Sequence, residues 1–295
     1  MDRPAPPPDA TAHDPAGPAV EAAADALARA LAPARRVVAL TGAGVSTASG
    51  IPDYRDERGA WKRRPPVVLA DFLAHDATRR RYWARSLVGW PAFDAAAPNA
   101  AHAALARLEA AGVVADVITQ NVDGLHQRAG SARVVDLHGR LDAVVCLVCG
   151  AREPRAAVQA RLEATHPHLA AREARRAPDG DAELEGDALA TFTPPECRLC
   201  RGTLKPDVVF FGESVPAARV ADAYARVGAA DALLVVGTSL KVFSGYRFVR
   251  AAADRGMPVA ILNRGVTRGD PLATVKADAP AGPVLAALAR RLAPA

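Results

Sequence analysis

The chain is 295 residues long and half apolar, and its 37 Lys+Arg against 32 Asp+Glu leave a formal net charge of +5. That length suits one large domain or a large and a small one, and no run of about 18 uncharged apolar residues is present to cross a membrane. The arginines, including Arg79 to Arg81, Arg175 and Arg176, are scattered through helical patterns, which argues for a solvated face and against direct nucleic-acid binding.

Residues 1–20, MDRPAPPPDATAHDPAGPAV, are rich in Pro and Ala and carry three aspartates. They fit neither a secretory apolar region nor an Arg-rich transit peptide, so a disordered leader and a cytoplasmic location are expected. From Val20 to Leu31 the amphipathic EAAADALARAL reads as a helix leading through Pro33 into a first strand. Val37 to Leu40 is the short apolar run of a buried parallel strand, and Gly42 and Gly44 after it permit a tight turn and close approach of a ligand. A helix starting at about Val45 would aim its free N–H groups at a pyrophosphate. Thr47 stands where the common dinucleotide fingerprint has its third glycine, and the acidic ribose residue about 20 positions on would fall near Asp71, with no strand pattern before it. These residues alone leave open a nucleotide site and a plain strand-to-helix turn.

Arg58 to Pro66 is basic and proline-containing, the pattern of a loop able to close over a ligand. Asp71 to Trp90 reads as helix, with Tyr82 and Arg85 sharing a face and Trp83 and Trp90 assigned to core. Ala100 to Ala111 is helix, closed by Gly112. Apolar runs recur at Val113 to Thr119, Val134 to Leu137, Val208 to Phe211, Ala232 to Val236 and Pro258 to Leu262, mostly separated by helical patterns. This alternation predicts an α/β fold with a parallel doubly wound sheet. The polar clusters TGAGVS, TQNVDGLH, DLHGR, FFGE, VGTSL and LNRG follow or end those runs. Such sheets bind ligands at the carboxyl ends of their strands, so the convergence predicts an active site.

All four cysteines fall in two pairs, Cys146-x-x-Cys149 and Cys197-x-x-Cys200, the spacing of a tetrahedral thiolate zinc site. Redox dithiols or a disulfide pair are the alternatives, and a chain without a secretory signal favours the metal. Four thiolates leave no open position for water, so one structural zinc is expected. The intervening 47 residues, 150–196, read as a helix followed by a mobile acidic loop over Ala177 to Asp187. The resulting division is a leader (1–20), a sheet domain (21–140 and 205–295) and a small zinc-binding module (141–204) inserted in it.

His138, in LHGR at the end of an apolar run, is placed as a general base, against the alternative of a histidine bonded to backbone. Asn121 and Asp123 alternate along an extended segment and face one cavity, suited to a carboxamide, a ribose hydroxyl or a water. Asp123 and Gly124 could instead only form a turn. His102 and His126, without partners in the sequence pattern, are assigned structural roles.

Taken together, GAGVSTASGIPDYR (Gly42 to Arg55), TQNVDGLH (Thr119 to His126), LHG (Leu137 to Gly139), the paired Cys-x-x-Cys, LKPDVVFFGE (Leu204 to Glu213), GTSL (Gly237 to Leu240) and LNRG (Leu262 to Gly265) resemble the sirtuins, the NAD-dependent protein deacylases. The resemblance implies a Rossmann-like sheet domain with a small zinc-ribbon module and a helical cofactor-loop module, binding NAD and an acyl-lysine protein or peptide, with a monomer as the default. The activity implied is transfer of the acyl group to ADP-ribose with release of nicotinamide; protein ADP-ribosyl transfer, lipoamidase activity and a non-enzymatic NAD-sensing role are the alternatives. PDYR, RYWARSLVGW and SGYRF look like the class II branch that includes a mitochondrial lipoamidase and ADP-ribosyltransferase sirtuin. Carried over by motif, Ala43, Thr47, Asp53 and Arg55 would form the floor and phosphate wall of the NAD site, Gly42, Gly44, Ser46 and Tyr54 would also bind NAD, and the loop from Ser46 to Arg55 would embrace its nicotinamide half. Gln120 would meet the nicotinamide-side ribose, Asn121 an ordered water beside Val122, and Asp123 the carboxamide. Gly237, Thr238 and Ser239 would hold phosphate and adenine ribose, Asn263, Arg264 and Gly265 the adenosine side, and Ala281 the adenine. His138 would take the catalytic position. Val209, Phe210, Phe211, Gly212 and Glu213 would pair with the peptide substrate as an added strand. Tyr82 and Arg85 have the Tyr-x-x-Arg spacing that would hold an acidic acyl tail; a surface helix pair is the alternative.

Overall fold

The computed structural model describes residues 17–62, 65–172, 176–178, 180–182, 189 and 191–294. The first sixteen residues of the expected leader and most of the expected loop between Ala177 and Asp187 lie outside the described residues. In chain order, α1 (Pro18–Leu31) precedes β1 (Val37–Thr41), and two single 3-10 turns follow at Ala43–Val45 and Thr47–Ser49. Next come α2 (Leu69–Ala74), α3 (Asp76–Asp94), α4 (Ala100–Ala110), β2 (Val114–Thr119), α5 (Leu125–Arg128) and β3 (Val134–Asp136). The cysteine-bearing segment holds β4 (Gly139–Cys146), β5 (Arg152–Pro154), α6 (Arg155–Thr165), α7 (Pro167–Ala170), β6 (Arg176–Ala177), β7 (Asp181–Ala182) and β8 (Leu204–Val208). The chain closes with α8 (Ala217–Gly228), β9 (Ala232–Val236), α9 (Phe243–Ala253), β10 (Val259–Leu262), β11 (Val275–Ala277) and α10 (Ala281–Leu292).

Six strands form one parallel sheet in the order β11-β10-β9-β1-β2-β3. Alternation along the strands divides their apolar residues between two faces. Val37, Ala39 and Leu234 pack with Leu27 and Leu31 of α1, Leu105 and Leu108 of α4 and Leu285 and Leu288 of α10. Val38, Leu40, Ile118 and Val235 pack with Ala223 and Val227 of α8 and Phe248 and Val249 of α9. Helices on both faces explain why the strands read as continuous apolar runs. The chain departs from β1 to β2 and β3 on one side and returns as β9, β10 and β11 on the other, so a topological switch point lies beside β1.

A third apolar cluster joins α2 and α3 to the small antiparallel sheet β5-β4-β8 through Phe72, Trp83, Leu87, Leu141, Val158, Leu204 and Phe210. Arg155 of α6 crosses this seam fully buried, its guanidinium 5.5 and 4.8 Å from the Trp83 and Trp90 ring centres and donating to Ser86 O and Oγ. Among the described residues no helix is long and apolar enough to cross a membrane.

Three local expectations differ from the structure, and one strand had none. The run Val208 to Phe211 contributes no strand to the main sheet, because its upstream neighbours Leu204–Val208 pair antiparallel with β4, with Cys146 opposite Leu204. The helix expected at about Val45 is replaced by the two 3-10 turns, ended at Gly50 in the left-handed region (φ 81°). The helix expected over Asp71 to Trp90 is split at His75, which is extended (φ −121°, ψ 119°). β11 had no apolar run to announce it, since its middle residue is Lys276.

Candidate active site

The carboxyl ends of β1, β2, β9 and β10 open on a cavity of about 550 Å³. Gly42 to Thr47, Gln120 to Asp123, Gly237 to Ser239 and Asn263 to Arg264 line it, as do Asp53 to Arg55, His138 and Ala281. Its floor is an interlock of two glycine turns. The Gly44 N–H donates to Gly237 O (2.8 Å), and a Cβ on Gly44 would come within 2.9 Å of that same oxygen. Gly237 lies in the left-handed region (φ 60°), and its own Cβ would meet Val45 N at 2.6 Å. Only two glycines permit this approach, and what they leave is a shelf of backbone suited to phosphate oxygens.

Above the shelf, a loop carries Asp53 to Lys62. Arg55 donates to Gly59 O (2.8 Å) and its guanidinium sits 3.8 Å from the Trp61 ring centre. Tyr54, Trp61 and Phe211 form an edge-to-face trio with centroids 5.6 to 6.1 Å apart. Gly265 does not line the cavity; it lets the loop close, since a Cβ there would lie 2.1 Å from Glu57 O. Trp61 escaped the sequence reading, although a lone aromatic in a basic loop was its signal.

The polar wall is a network centred on Ser46, which is buried. Its Oγ accepts from Asn121 Nδ2 (3.1 Å) and donates to Asp123 Oδ2 (2.7 Å). Asn121 Nδ2 also donates to Gly42 O (3.1 Å), and Asp123 Oδ1 accepts the Leu125 N–H (2.9 Å). Asn121 and Asp123 are thus brought together as the alternation predicted. Gln120 Nε2 reaches Thr238 Oγ1 (3.0 Å), tying the β2 and β9 ends.

His102 and His126, assigned structural roles from sequence, stand directly behind this wall. His102 Nδ1 accepts the Asn99 N–H (3.3 Å), so its proton is on Nε2, facing Ser46 Oγ at 3.5 Å. Its ring meets that of His126 edge-on at 4.9 Å, and His126 Nε2 bonds Thr41 Oγ1 (2.9 Å). Burial pushes both imidazoles down, His126 to about 3, with the neighbouring His102 adding to its shift and Asp123 opposing that of His102. Only the fold reveals this pairing, because 24 positions separate the two histidines in the chain.

His138 sits between β3 and β4 and faces the cavity. Its Nδ1 is 2.9 Å from Gln120 O, which can only accept, so Nδ1 carries the proton and Nε2 the lone pair. Burial is the main cause that lowers its pKa to about 4; the Gln120 bond opposes and Arg219 assists. The ring is therefore neutral at pH 7 and in the tautomer a general base requires.

The Sir2 family profile matches residues 42–244. The chain belongs to the Sir2 family. It is similar to an NAD-dependent protein deacetylase of Xanthomonas axonopodis pv. citri, 57% identical over 254 residues covering 86% of this chain and 87% of that protein. It also resembles NAD-dependent protein deacetylase 1 of Streptomyces coelicolor, 52% identical over 256 residues, with 87% and 86% covered. Among solved structures, a Sir2 with deacetylated p53 peptide and 3′-O-acetyl ADP-ribose matches with a TM-score of 0.72 at 30% identity, covering 90% of this chain and 96% of that one. A Sir2 homologue in complex with NAD gives 0.70 at 31%, covering 91% and 93%.

In this sirtuin, the four cysteine sulfurs lie within 4.8 Å of one another. The Cys146–Cys200 and Cys149–Cys197 separations are 3.5 and 3.7 Å, far beyond a disulfide of about 2.05 Å and near the ~3.8 Å edge of a tetrahedron with ~2.3 Å zinc–sulfur bonds. The set is positioned to bind a zinc ion. Of the expected substrate segment, Val209 and Phe211 line the cavity and Phe210, Gly212 and Glu213 do not. Glu213 instead accepts the Phe210 N–H (2.8 Å) and pairs with Lys205 (3.0 Å), shaping the bend.

Tyr82 and Arg85 do not line the cavity. The Tyr82 ring packs on Phe72 and Phe210 at 5.6 and 5.2 Å, and burial raises its hydroxyl pKa. Arg85 is taken by the β6–β7 hairpin: its Nε donates to Ala182 O and its Nη2 pairs with Asp181 Oδ2, both at 2.7 Å. Gly89, one turn further along α3, admits the hairpin, since a Cβ there would lie 2.5 Å from Gly180 O.

Proposed function

We propose that the chain is an NAD-dependent protein lysine deacylase that releases nicotinamide and passes the acyl group to ADP-ribose. The observation that carries this is His138, neutral, with its proton fixed on Nδ1, in one cavity with the Ser46–Asn121–Asp123 network and the glycine shelf. The glycine turns fit a pyrophosphate, and Gln120, Thr238, Ser239 and Asn263 fit ribose hydroxyls. Asp123, held by Ser46, fits a carboxamide N–H. Bound NAD would supply the electrophilic ribose carbon, activated by its nicotinamide leaving group. The protein's share is to bind and orient that half of the molecule, to exclude water with the Tyr54–Trp61–Phe211 trio, and to accept a ribose hydroxyl proton on His138 Nε2.

The peptide is placed along Val209 to Glu213. Several main-chain groups there are already engaged: Val209 N–H donates to His138 O (2.7 Å) and Phe211 O accepts from Leu69 N–H (2.9 Å). A substrate strand therefore uses what remains of that segment. Because Asp181 neutralises Arg85, the reading favours an uncharged acyl group such as acetyl, in keeping with the relatives named above. The 141–204 module boundaries, the structural zinc, a cytoplasmic location and the branch suggested by RYWARSLVGW and SGYRF belong to the same proposal.

The test is incubation of purified protein with NAD and an acetyl-lysine peptide, following nicotinamide and O-acetyl-ADP-ribose by chromatography. Equimolar formation of both is expected, with neither from His138→Tyr, which keeps its zinc. No peptide-dependent nicotinamide release refutes the reading, and adenylate label retained on protein would replace it with ADP-ribosyl transfer.

A further inference from the structure

His138 has a second side of its ring engaged, besides the Gln120 carbonyl. Its Nε2 lies 2.8 Å from the hydroxyl of Ser244, in the first turn of α9, and Ser244 is 9% exposed. With the proton of His138 on Nδ1, the Ser244 hydroxyl is the donor and Nε2 the acceptor. Both ring nitrogens are thus engaged, one by the β2 end and one by α9. The two anchors form one unit: a Cβ on Gly245 would lie 2.5 Å from Gln120 Oε1, so the start of α9 is pressed against the residue whose carbonyl holds Nδ1.

We propose that Ser244 is a positioning residue that clamps the catalytic histidine and caps its basic nitrogen until a ribose hydroxyl of NAD takes its place. The proposal rests on His138 being the general base. A ribose hydroxyl that reaches Nε2 displaces the Ser244 hydrogen bond; its O–H bond then breaks, the proton passes to Nε2, the oxygen keeps the electron pair, and the imidazolium later returns the proton to water. Until then the clamp fixes the ring plane and favours the neutral imidazole, since a donor on Nε2 stabilises only the unprotonated form. The charged group that bears on the ring is Arg219 of α8, which donates to Leu137 O (3.3 Å) and also disfavours the imidazolium. Asp136, on β3, is occupied by Gln127 Nε2 at 3.0 Å.

The experiment is ring NMR titration of the NAD-free protein, with His138→Gln assigning the signal, for wild type, Ser244→Ala and Ser244→Thr. Loss of one hydrogen bond to the neutral form raises the His138 midpoint in Ser244→Ala by about half to one pH unit, and Ser244→Thr restores it. The acidic limb of the kcat/KM profile for O-acyl-ADP-ribose formation, which reads the NAD-free enzyme, moves by the same amount, while peptide-dependent nicotinamide exchange, which precedes proton removal, stays within about twofold of wild type. An unchanged midpoint in Ser244→Ala, a threonine variant that behaves like alanine, or loss of exchange in parallel with deacylation overturns the clamp. The titration needs no turnover, so it decides this inference even if the chain deacylates nothing.

Discussion

The buried histidine pair makes the stability of this fold pH-dependent in a defined direction. In the folded chain His126 is held at about 3, while in the unfolded chain it titrates near ~6.5. Between those values the unfolded chain binds a proton that the folded chain refuses, so the stability is complete above about pH 6.5 and is lost as the pH falls. Each pH unit inside the window costs about 1.4 kcal/mol, which makes the His126 contribution between pH 6.5 and 5 about 2 kcal/mol. His102 and His138 are shifted the same way and add to the loss. The assay is urea unfolding at pH 7 and pH 5 for wild type and His126→Phe. The variant starts less stable, having lost its bond to Thr41, but its drop between the two pH values is smaller by about 2 kcal/mol. Comparing the two drops cancels protonation of the cysteine thiolates, which both proteins share. Equal drops would refute the claim that His126 is buried neutral.

Three further outcomes are expected. In a double-mutant cycle over Ser46→Ala and Asp123→Asn, the 2.7 Å charge-assisted bond gives a coupling of about 1.5–3 kcal/mol in unfolding free energy; coupling near zero would mean that Ser46 does not hold the carboxylate. Asp181→Ala releases Arg85 from its ion pair, so turnover of a glutaryl peptide relative to an acetyl peptide rises by about tenfold or more. An unchanged ratio rejects Arg85 as a latent acyl contact. Stripping zinc with a chelator, followed by metal analysis, lowers kcat by about a hundredfold while NAD affinity measured by calorimetry changes little; full turnover by zinc-free protein would separate the metal from the chemistry.

Five of the six strands of the parallel sheet were legible because strands buried on both faces are written as apolar runs, as Val37 to Leu40 and Ala232 to Val236 show. The ligand shelf was legible because Gly42, Gly44 and Gly237 follow those runs directly. What escaped has no local signature. Leu204 to Val208 belongs to the small sheet through pairing with a strand about 60 positions earlier, and an apolar run carries no mark of its partner. Arg85 was read by its spacing to Tyr82, but its partner Asp181 lies 96 residues on and decides where the guanidinium points. Ser244 has no spacing to His138 that any pattern would notice.

The cysteines and His138 are linked by two strands of one small sheet. β4 and β8 are paired at one end by Cys146 opposite Leu204 and at the other by Gly139 opposite Val208. Gly139 follows His138 directly, takes φ 83°, and has no room for a Cβ, which would lie 2.1 Å from Asp207 O. Just past Val208, the Val209 N–H closes on His138 O at 2.7 Å. The pairing is interrupted between Gly139 and Val144, so a metal at the cysteine end would steady the two strands without setting the pairing beside His138. Zinc closed off by four thiolates would bear on His138 through these two strands, so its loss should displace His138 more than the glycine shelf, which rests on Gly44, Gly237 and the parallel sheet.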